Sequence, residues 1–316
     1  MYHRFFGLRE NPFNVNPDPR YLYMTPQIQE ALAGLTYGVQ NRKGFILLTG
    51  EVGTGKTTLL NRLLDWLRAQ RVASAFVFNT RLDVSQMFDF MLTEFEISCE
   101  SREKSQVLLR LNQWLIDRYR AGETAVLILD EAQNLSSELL EEIRLLTNLE
   151  TSTDKLLQIV LSGQPELEEM LRMPQLRQLR QRITLRCHTA PLSSEETFGY
   201  IAERLRIAGA NGEAIFSKEA IEALHTFSRG IPRVVNLLGE HSMINAYADG
   251  LKPVPARLVE EVAREFQLDE FATDRSPELS PSALSSAQVQ SLLENLDELM
   301  GRLRQVGVSS HTERKL

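Results

Sequence analysis

The chain has 316 residues, 43% of them hydrophobic, enough for a large core shared between about two domains. Lys+Arg 35 against Asp+Glu 42 gives a net charge of −7, which excludes a global basic field for nucleic acid and leaves only a local patch. Cys99 and Cys187 stand far apart and outside any metal-ligand spacing, and no apolar run reaches the length of a membrane span or a signal-peptide core, so a soluble protein of a reducing, cytoplasmic compartment is expected.

Residues 2–24 are rich in aromatic residues and proline: Phe5-Phe6-Gly7-Leu8, Asn11-Pro12-Phe13, Asn16-Pro17-Asp18-Pro19 and Tyr21-Leu22-Tyr23. The prolines oppose a regular helix, so residues 1–24 are expected to form an extended arm packed on the core. Such an arm either covers an adenine ring or serves packing alone. Thr25-Pro26 then starts a helix, an N-cap followed by proline in the first turn, with Ile28, Ala31, Leu32, Leu35 and Val39 at helical spacing.

Gly44-Phe45-Ile46-Leu47-Leu48-Thr49 reads as a strand, and Thr58-Leu59-Leu60-Asn61-Arg62-Leu63-Leu64 as the start of a helix running to about Arg68. Between them stands Gly50-Glu51-Val52-Gly53-Thr54-Gly55-Lys56-Thr57, a match to G-x-x-x-x-G-K-[ST] in the context that motif needs. The glycines let backbone N–H groups curl round a polyphosphate, and the helix adds its positive dipole end. Lys56 supplies a point charge for the β/γ-phosphates, and the Thr57 hydroxyl is placed to ligand Mg²⁺. A nucleotide-binding site is expected here.

Val72 to Phe78 reads as a second strand, and Asp83 to Phe95 and Ser105 to Arg120 as helices. Ala125-Val126-Leu127-Ile128-Leu129-Asp130-Glu131 is an apolar run ending in two acids, the pattern of a strand buried on both faces of a parallel sheet. Ligands bind at the C-terminal ends of such strands. Asp130 there is a candidate to help hold Mg²⁺, and Glu131 to orient or deprotonate an attacking water, which implies hydrolysis. The competing reading is an N-cap pair for the helix expected over Ser136–Leu149.

Leu156 to Gln164 reads as a fourth strand whose end, Ser162 or Gln164, can meet the γ-phosphate or the water. Pro165 opens a helix, and an arginine-rich segment with Arg172, Arg177, Arg180 and Arg182 leads into a fifth strand, Ile183–His188. From Ser193 the pattern is helical: Glu195–Ala208, Lys218–Ser228, Val234–Ala248 and Pro255–Phe266. Residues 273–282 are rich in serine and proline and read as a flexible linker. A last helix, about Ser285–Arg304, carries Val289, Leu292, Leu296, Leu299 and Leu303 as a short docking or oligomer-contact stripe.

Taken in order, Phe6-Gly7-Leu8, Asn11-Pro12-Phe13, Pro17-Asp18-Pro19, Leu22-Tyr23, Gly50 to Thr58, Asp130-Glu131-Ala132-Gln133-Asn134-Leu135, Leu161 to Leu167 and Gly230-Ile231-Pro232-Arg233 with Asn236 form a set. This set resembles the AAA+ ATPases of the ExeA/GspA general-secretion type, within them the soluble subfamily of exosortase and exopolysaccharide loci. The resemblance covers roughly residues 1–268. It implies an α/β P-loop NTPase with a parallel five-stranded sheet over 25–190 and an all-helical lid over 191–268, followed by a linker and short helix over 269–316. It also implies ATP·Mg²⁺ hydrolysis and work as a ring or partial ring of identical subunits, cytoplasmic or held peripherally to the inner membrane through a partner. Arg182 stands where this superfamily keeps an arginine finger, with Arg180 as rival; Arg233 matches the sensor-2 arginine, and Ser162 or Gln164 would be sensor 1.

Two departures from the family pattern stand out: Ile28 stands where the pattern has a histidine, and the segment after residue 268 reads as a polar linker and one short helix where type II secretion members commonly continue into a membrane helix and a peptidoglycan-binding domain, so a direct cell-wall role is not expected. The expected function is an ATP-driven motor or switch for a secretion or envelope-polysaccharide assembly with a protein partner. The alternatives are a DNA-associated regulator of the transposition, TniB-like kind and a slowly hydrolysing scaffold that acts through its tail.

Overall fold

The structure, a computed structural model, describes residues 2–78 and 82–268. The linker and terminal helix expected after residue 269 lie outside them. The strands are β1 (Phe45–Gly50), β2 (Ala73–Val77), β3 (Ala125–Leu129), β4 (Leu157–Gly163) and β5 (Ile183–Thr189). They form one five-stranded sheet in the order β2-β3-β4-β1-β5, with every pairing parallel. This is the sheet the sequence leads one to expect, and its core strands are buried at every position. Edge strand β5 alternates instead, turning Thr184, Arg186 and His188 outward.

Alternation along the strands divides the core into two layers. Ile46, Leu48, Val126, Ile128 and Val160 face α2 (Pro26–Gln40) and α3 (Lys56–Ala69) through Leu35, Leu59 and Leu63. Leu47, Leu127, Leu129, Ile159 and Leu161 face the opposite layer, built from α4 (Val84–Glu94), α5 (Lys104–Arg120), α6 (Ser137–Leu146), α7 (Pro165–Arg172) and α8 (Arg177–Arg182). The caps follow the sequence: Thr25 Oγ1 accepts from the Ile28 N–H at 3.2 Å, and Asp83 with Gln86 closes a capping box. The strand expected to reach Glu131 stops at Leu129, because Glu131 takes a left-handed backbone (φ 54°, ψ 39°) that no strand continues.

Beyond the sheet, α9 (Ser194–Ile207), α10 (Lys218–Ser228), α11 (Pro232–Ala248) and α12 (Ala256–Glu265) enclose a separate cluster that includes Ile201, Leu224, Val235, Leu238 and Val259. The N-terminal arm joins this cluster. Residues 2–5 form one helical turn, α1 (Tyr2–Phe5), where the sequence leads one to expect extended chain; the first proline comes only at Pro12, and Leu8 N–H closes the turn onto His3 O at 2.8 Å. Phe6, Leu8 and Phe13 are buried among the helices of this cluster, with the Phe13 ring 5.8 Å from that of Phe216. Leu22 packs against the layer of α2 and α3, and Asn61 Nδ2 donates to Pro17 O at 2.9 Å, so the arm touches both parts of the chain.

Phe13→Ala removes a fully buried ring that α11 and Phe216 enclose. The expected loss is about 3–5 kcal/mol, read as a lower urea midpoint; an unchanged midpoint would mean that the arm does not brace the helical cluster.

Candidate functional site

The site lies at the C-terminal ends of β1, β3 and β4. β1 carries the chain out at Gly50, the loop over 51–55 turns back, and α3 begins at Lys56. Gly55 caps that helix at φ 97°, and a Cβ there would meet nothing within 4 Å, so glycine is needed for the backbone conformation and not for space. Thr54 Oγ1 donates to Glu51 O at 2.7 Å and lies 2.7 Å from Thr189 Oγ1, which ties the loop to the end of β5. The Lys56 side chain is buried, with Nζ donating to Gly50 O at 2.8 Å and Glu51 O at 2.9 Å. Its burial lowers the ammonium pKa, and the charges of Glu131, Asp130, Glu166 and Glu51 oppose that shift.

Asp130 is buried and carries three hydrogen bonds. Ser162 Oγ donates to Oδ1 at 2.7 Å, the Glu131 N–H to Oδ1 at 3.0 Å, and Thr57 Oγ1 to Oδ2 at 3.0 Å. Burial raises its pKa, the Ser162 bond pulls it back, and the Glu131 charge adds to the rise. Glu131 Oε2 accepts from Gln133 Nε2 at 2.5 Å and from Gln164 Nε2 at 3.1 Å. Both residues considered for sensor 1 thus reach the acid pair, Ser162 on Asp130 and Gln164 on Glu131.

The helical part closes the other side. The Arg233 N–H donates to Gly53 O at 3.2 Å, joining the first turn of α11 to the glycine loop. A cleft of about 230 Å³ runs from there, walled by residues 52–58, by Glu131, by Tyr21 and Tyr23 of the arm, and by Tyr200, Arg204, Arg233 and Asn236 of the helices. The cleft has the glycine loop and Lys56 at one end and the tyrosines of the arm at the other, a lining that could take a polyphosphate and a flat ring together. The charges also make a statement. Four carboxylates bear on one ammonium, and the Glu166 Oε2 oxygen is buried without a protein donor. A divalent cation would offset that negative charge beside a bound phosphate, and Thr57 and Asp130, hydrogen-bonded to each other at 3.0 Å, are the oxygen donors that could hold one.

Residues 39–171 match the family model described as AAA domain. The fold is similar to that of Cdc6p from Pyrobaculum aerophilum, with a TM-score of 0.61 at 17% identity over 77% of this chain and 68% of that one. It is also similar to ORC2 of Aeropyrum pernix, with a TM-score of 0.56 at 15% identity over 81% and 71% of the two chains. At these identities the likeness is one of fold. The chain is an AAA+ P-loop protein. Within the AAA+ proteins it fits the ExeA/GspA type, being 46% identical over 251 residues to General secretion pathway protein A of Aeromonas hydrophila. That match covers 79% of this chain and 46% of the relative, so the chain spans about half the length of the relative.

In this AAA+ chain the residues of the Gly50–Thr58 segment, Asp130, Glu131, Ser162, Gln164 and Arg233 come together around one end of the cleft. Arg182 does not join them. It sits at the N-terminal end of β5, with Nη1 donating to Thr147 Oγ1 at 2.6 Å, while the nearby Arg180 is exposed. Sequence reasoning missed two residues. Gln133 was legible only as part of a motif. Arg204 is buried on α9, its guanidinium 4.5 Å from the Tyr21 ring, donating to Pro12 O at 2.5 Å and Asn14 O at 3.1 Å. The available signal was an arginine four residues after Tyr200, on the same face as the buried Ile201. Among the described residues no helix is long and apolar enough to cross a membrane.

Replacing Lys56 by alanine leaves the loop carbonyls of Gly50 and Glu51 without their ammonium and the phosphates without a cation. The expected result is nucleotide binding weakened by about 10²-fold or more, measured by titration with a fluorescent nucleotide. Binding within a few-fold of the parent would remove Lys56 from the phosphate site.

Proposed function

We propose that this AAA+ protein binds and hydrolyses ATP with Mg²⁺ and acts as a motor or switch in a bacterial secretion or exopolysaccharide assembly. The observation that carries the reading is the joining of Thr57, Asp130 and Ser162 by direct hydrogen bonds, with Glu131 beside them at the mouth of the cleft. The name of the Aeromonas hydrophila relative, General secretion pathway protein A, supports the secretion role. A cytoplasmic site of work, peripheral to the inner membrane through a protein partner, belongs to the same proposal.

In the proposed reaction Lys56 and the loop N–H groups hold the β- and γ-phosphates, and Arg233 faces the γ-phosphate from the lid. Thr57 and Asp130 would hold Mg²⁺, which would supply neutralisation of phosphate charge. Glu131 orients the attacking water and takes its proton as the water oxygen bonds to the γ-phosphorus and the bond to the β-phosphate oxygen breaks. Ser162 and Gln164 steady the two acids, and the arm covers the base. Arg182, at the far end of β5 from its own glycine loop, serves a neighbour's site in a homo-oligomer, where a fixed cation meets charge developing in the transition state.

Glu131→Gln is expected to keep ATP affinity and lose at least about 10²-fold in kcat; near-parental turnover would remove Glu131 from the reaction. Arg182→Ala is expected to lower kcat by about 10³-fold with ATP affinity within a few-fold. Mixing these two inactive variants should restore part of the activity, because an interface then pairs an intact Glu131 with a neighbour's intact Arg182. If mixing rescues nothing and specific activity does not rise with protein concentration, the finger assignment fails. Arg180→Ala, assayed alongside, tests its rival.

A further inference from the structure

We infer that Gln133 is a positioning residue that holds the Glu131 carboxylate in its working orientation through one bifunctional amide, seated on Gly163. The inference rests on the proposed reading of Glu131 as the group that activates water. Gln133 Nε2 donates to Glu131 Oε2 at 2.5 Å, and its Oε1 accepts from the Gln164 N–H at 3.1 Å. Gln164 Nε2 returns to the same Glu131 oxygen at 3.1 Å. A closed ring of hydrogen bonds therefore links the turn after β3 to the residue that caps α7. The amide can lie only one way round. A backbone N–H only donates and an ionised carboxylate only accepts, so oxygen must face Gln164 and nitrogen must face Glu131.

Two independent features show that the local chain is built for this contact. Glu131 takes a left-handed backbone at φ 54°, a conformation that costs energy for a side chain without glycine's freedom or asparagine's local bonding. Such a residue stays there only when its surroundings hold it, and the paired amides of Gln133 and Gln164 do so. The last residue of β4 is Gly163, and a Cβ there would come within 2.8 Å of Gln133 Oε1 and 2.7 Å of Leu167 Cδ2. Glycine at this point leaves room for the glutamine amide and for the Leu167 side chain together. Asparagine at position 133 would be too short to span the ring, and glutamate would set a second carboxylate against Glu131. Two donors on Oε2 restrict how far the carboxylate can turn.

The test uses Gln133→Met, which keeps the side chain's length and removes both hydrogen-bonding atoms. Its kcat should fall by about 10-fold or more while KM and the affinity for a fluorescent ATP analogue stay within about two-fold. In a Glu131→Gln background the same change should have no further effect on the residual single-turnover rate, because there is no carboxylate left to aim. Gly163→Ala, which leaves the amide in the chain and pushes it off its seat, should give the same split and covers the case of a methionine variant that does not fold. Parental kcat in both variants while Glu131→Gln is inactive overturns the inference and leaves the role of Glu131 standing. An equal loss in the two backgrounds, or nucleotide affinity falling with rate, also overturns it, since the residue would then be structural. Near-parental turnover of Glu131→Gln removes the reading on which the inference rests.

Discussion

The structure turns on the buried carboxylate of Asp130. A carboxylate taken out of water is costly unless donors surround it, and here the donors come from three separate elements. Thr57 is in the first turn of α3, Ser162 near the end of β4, and the Glu131 N–H in the turn after β3. Each bond demands a register. Ser162 reaches Asp130 only because β3 and β4 pair with Leu129 opposite Leu161, and Thr57 only because the glycine loop returns α3 to that point. Satisfying one anion therefore fixes β1, β3, β4 and the loop relative to one another, and the same three contacts assemble the corner proposed to hold Mg²⁺.

A second buried charge governs the other wall. Arg204 is buried, and among the described residues no carboxylate lies within ion-pair distance of it; its guanidinium is satisfied by the carbonyls of Pro12 and Asn14 and the hydroxyl of Tyr200. Its planar fork also lies over the ring of Tyr21. The arm is thereby bound to α9, and the lid contacts the glycine loop through Arg233 and Gly53. Pulling the arm away would remove the Pro12 and Asn14 carbonyls and leave the guanidinium only the Tyr200 hydroxyl, so the arm is tied to the helical cluster. The acid pair, in contrast, belongs to the sheet. Both line the same cleft, Glu131 from the sheet and Tyr200, Arg204 and Asn236 from the helices.

Local periodicity made the sheet legible. A continuous apolar run such as 125–129 has no solvated face, and that is a property of the residues themselves. The glycine loop was legible for the same reason: its glycines, lysine and threonine are chemically committed before any tertiary contact forms. The helical turn at 2–5, the burial of Arg204 and the role of Gln133 were not legible. Each depends on a partner far along the chain or on a side chain's orientation, which no spacing encodes. Phe6, Leu8 and Phe13 announce by their apolarity that something covers them. Only the fold shows that the cover is the helical cluster and not the sheet.

Glu131 illustrates how the two kinds of information meet. An acid directly after Asp130 is a pattern, and the pattern alone serves equally for an N-cap. What separates the readings is the backbone. The helix α6 is capped by Ser136, whose Oγ accepts from the Leu139 N–H at 3.1 Å, so the capping role is already filled. Glu131 instead sits in a left-handed turn that ends the strand and sends its side chain to two glutamine amides at the edge of the cleft. Exposed Glu96 is left-handed too, at φ 56°, so such a backbone alone does not mark a site. At Glu131 the backbone is joined by two glutamine amides on the carboxylate, and that combination supports the proposed role.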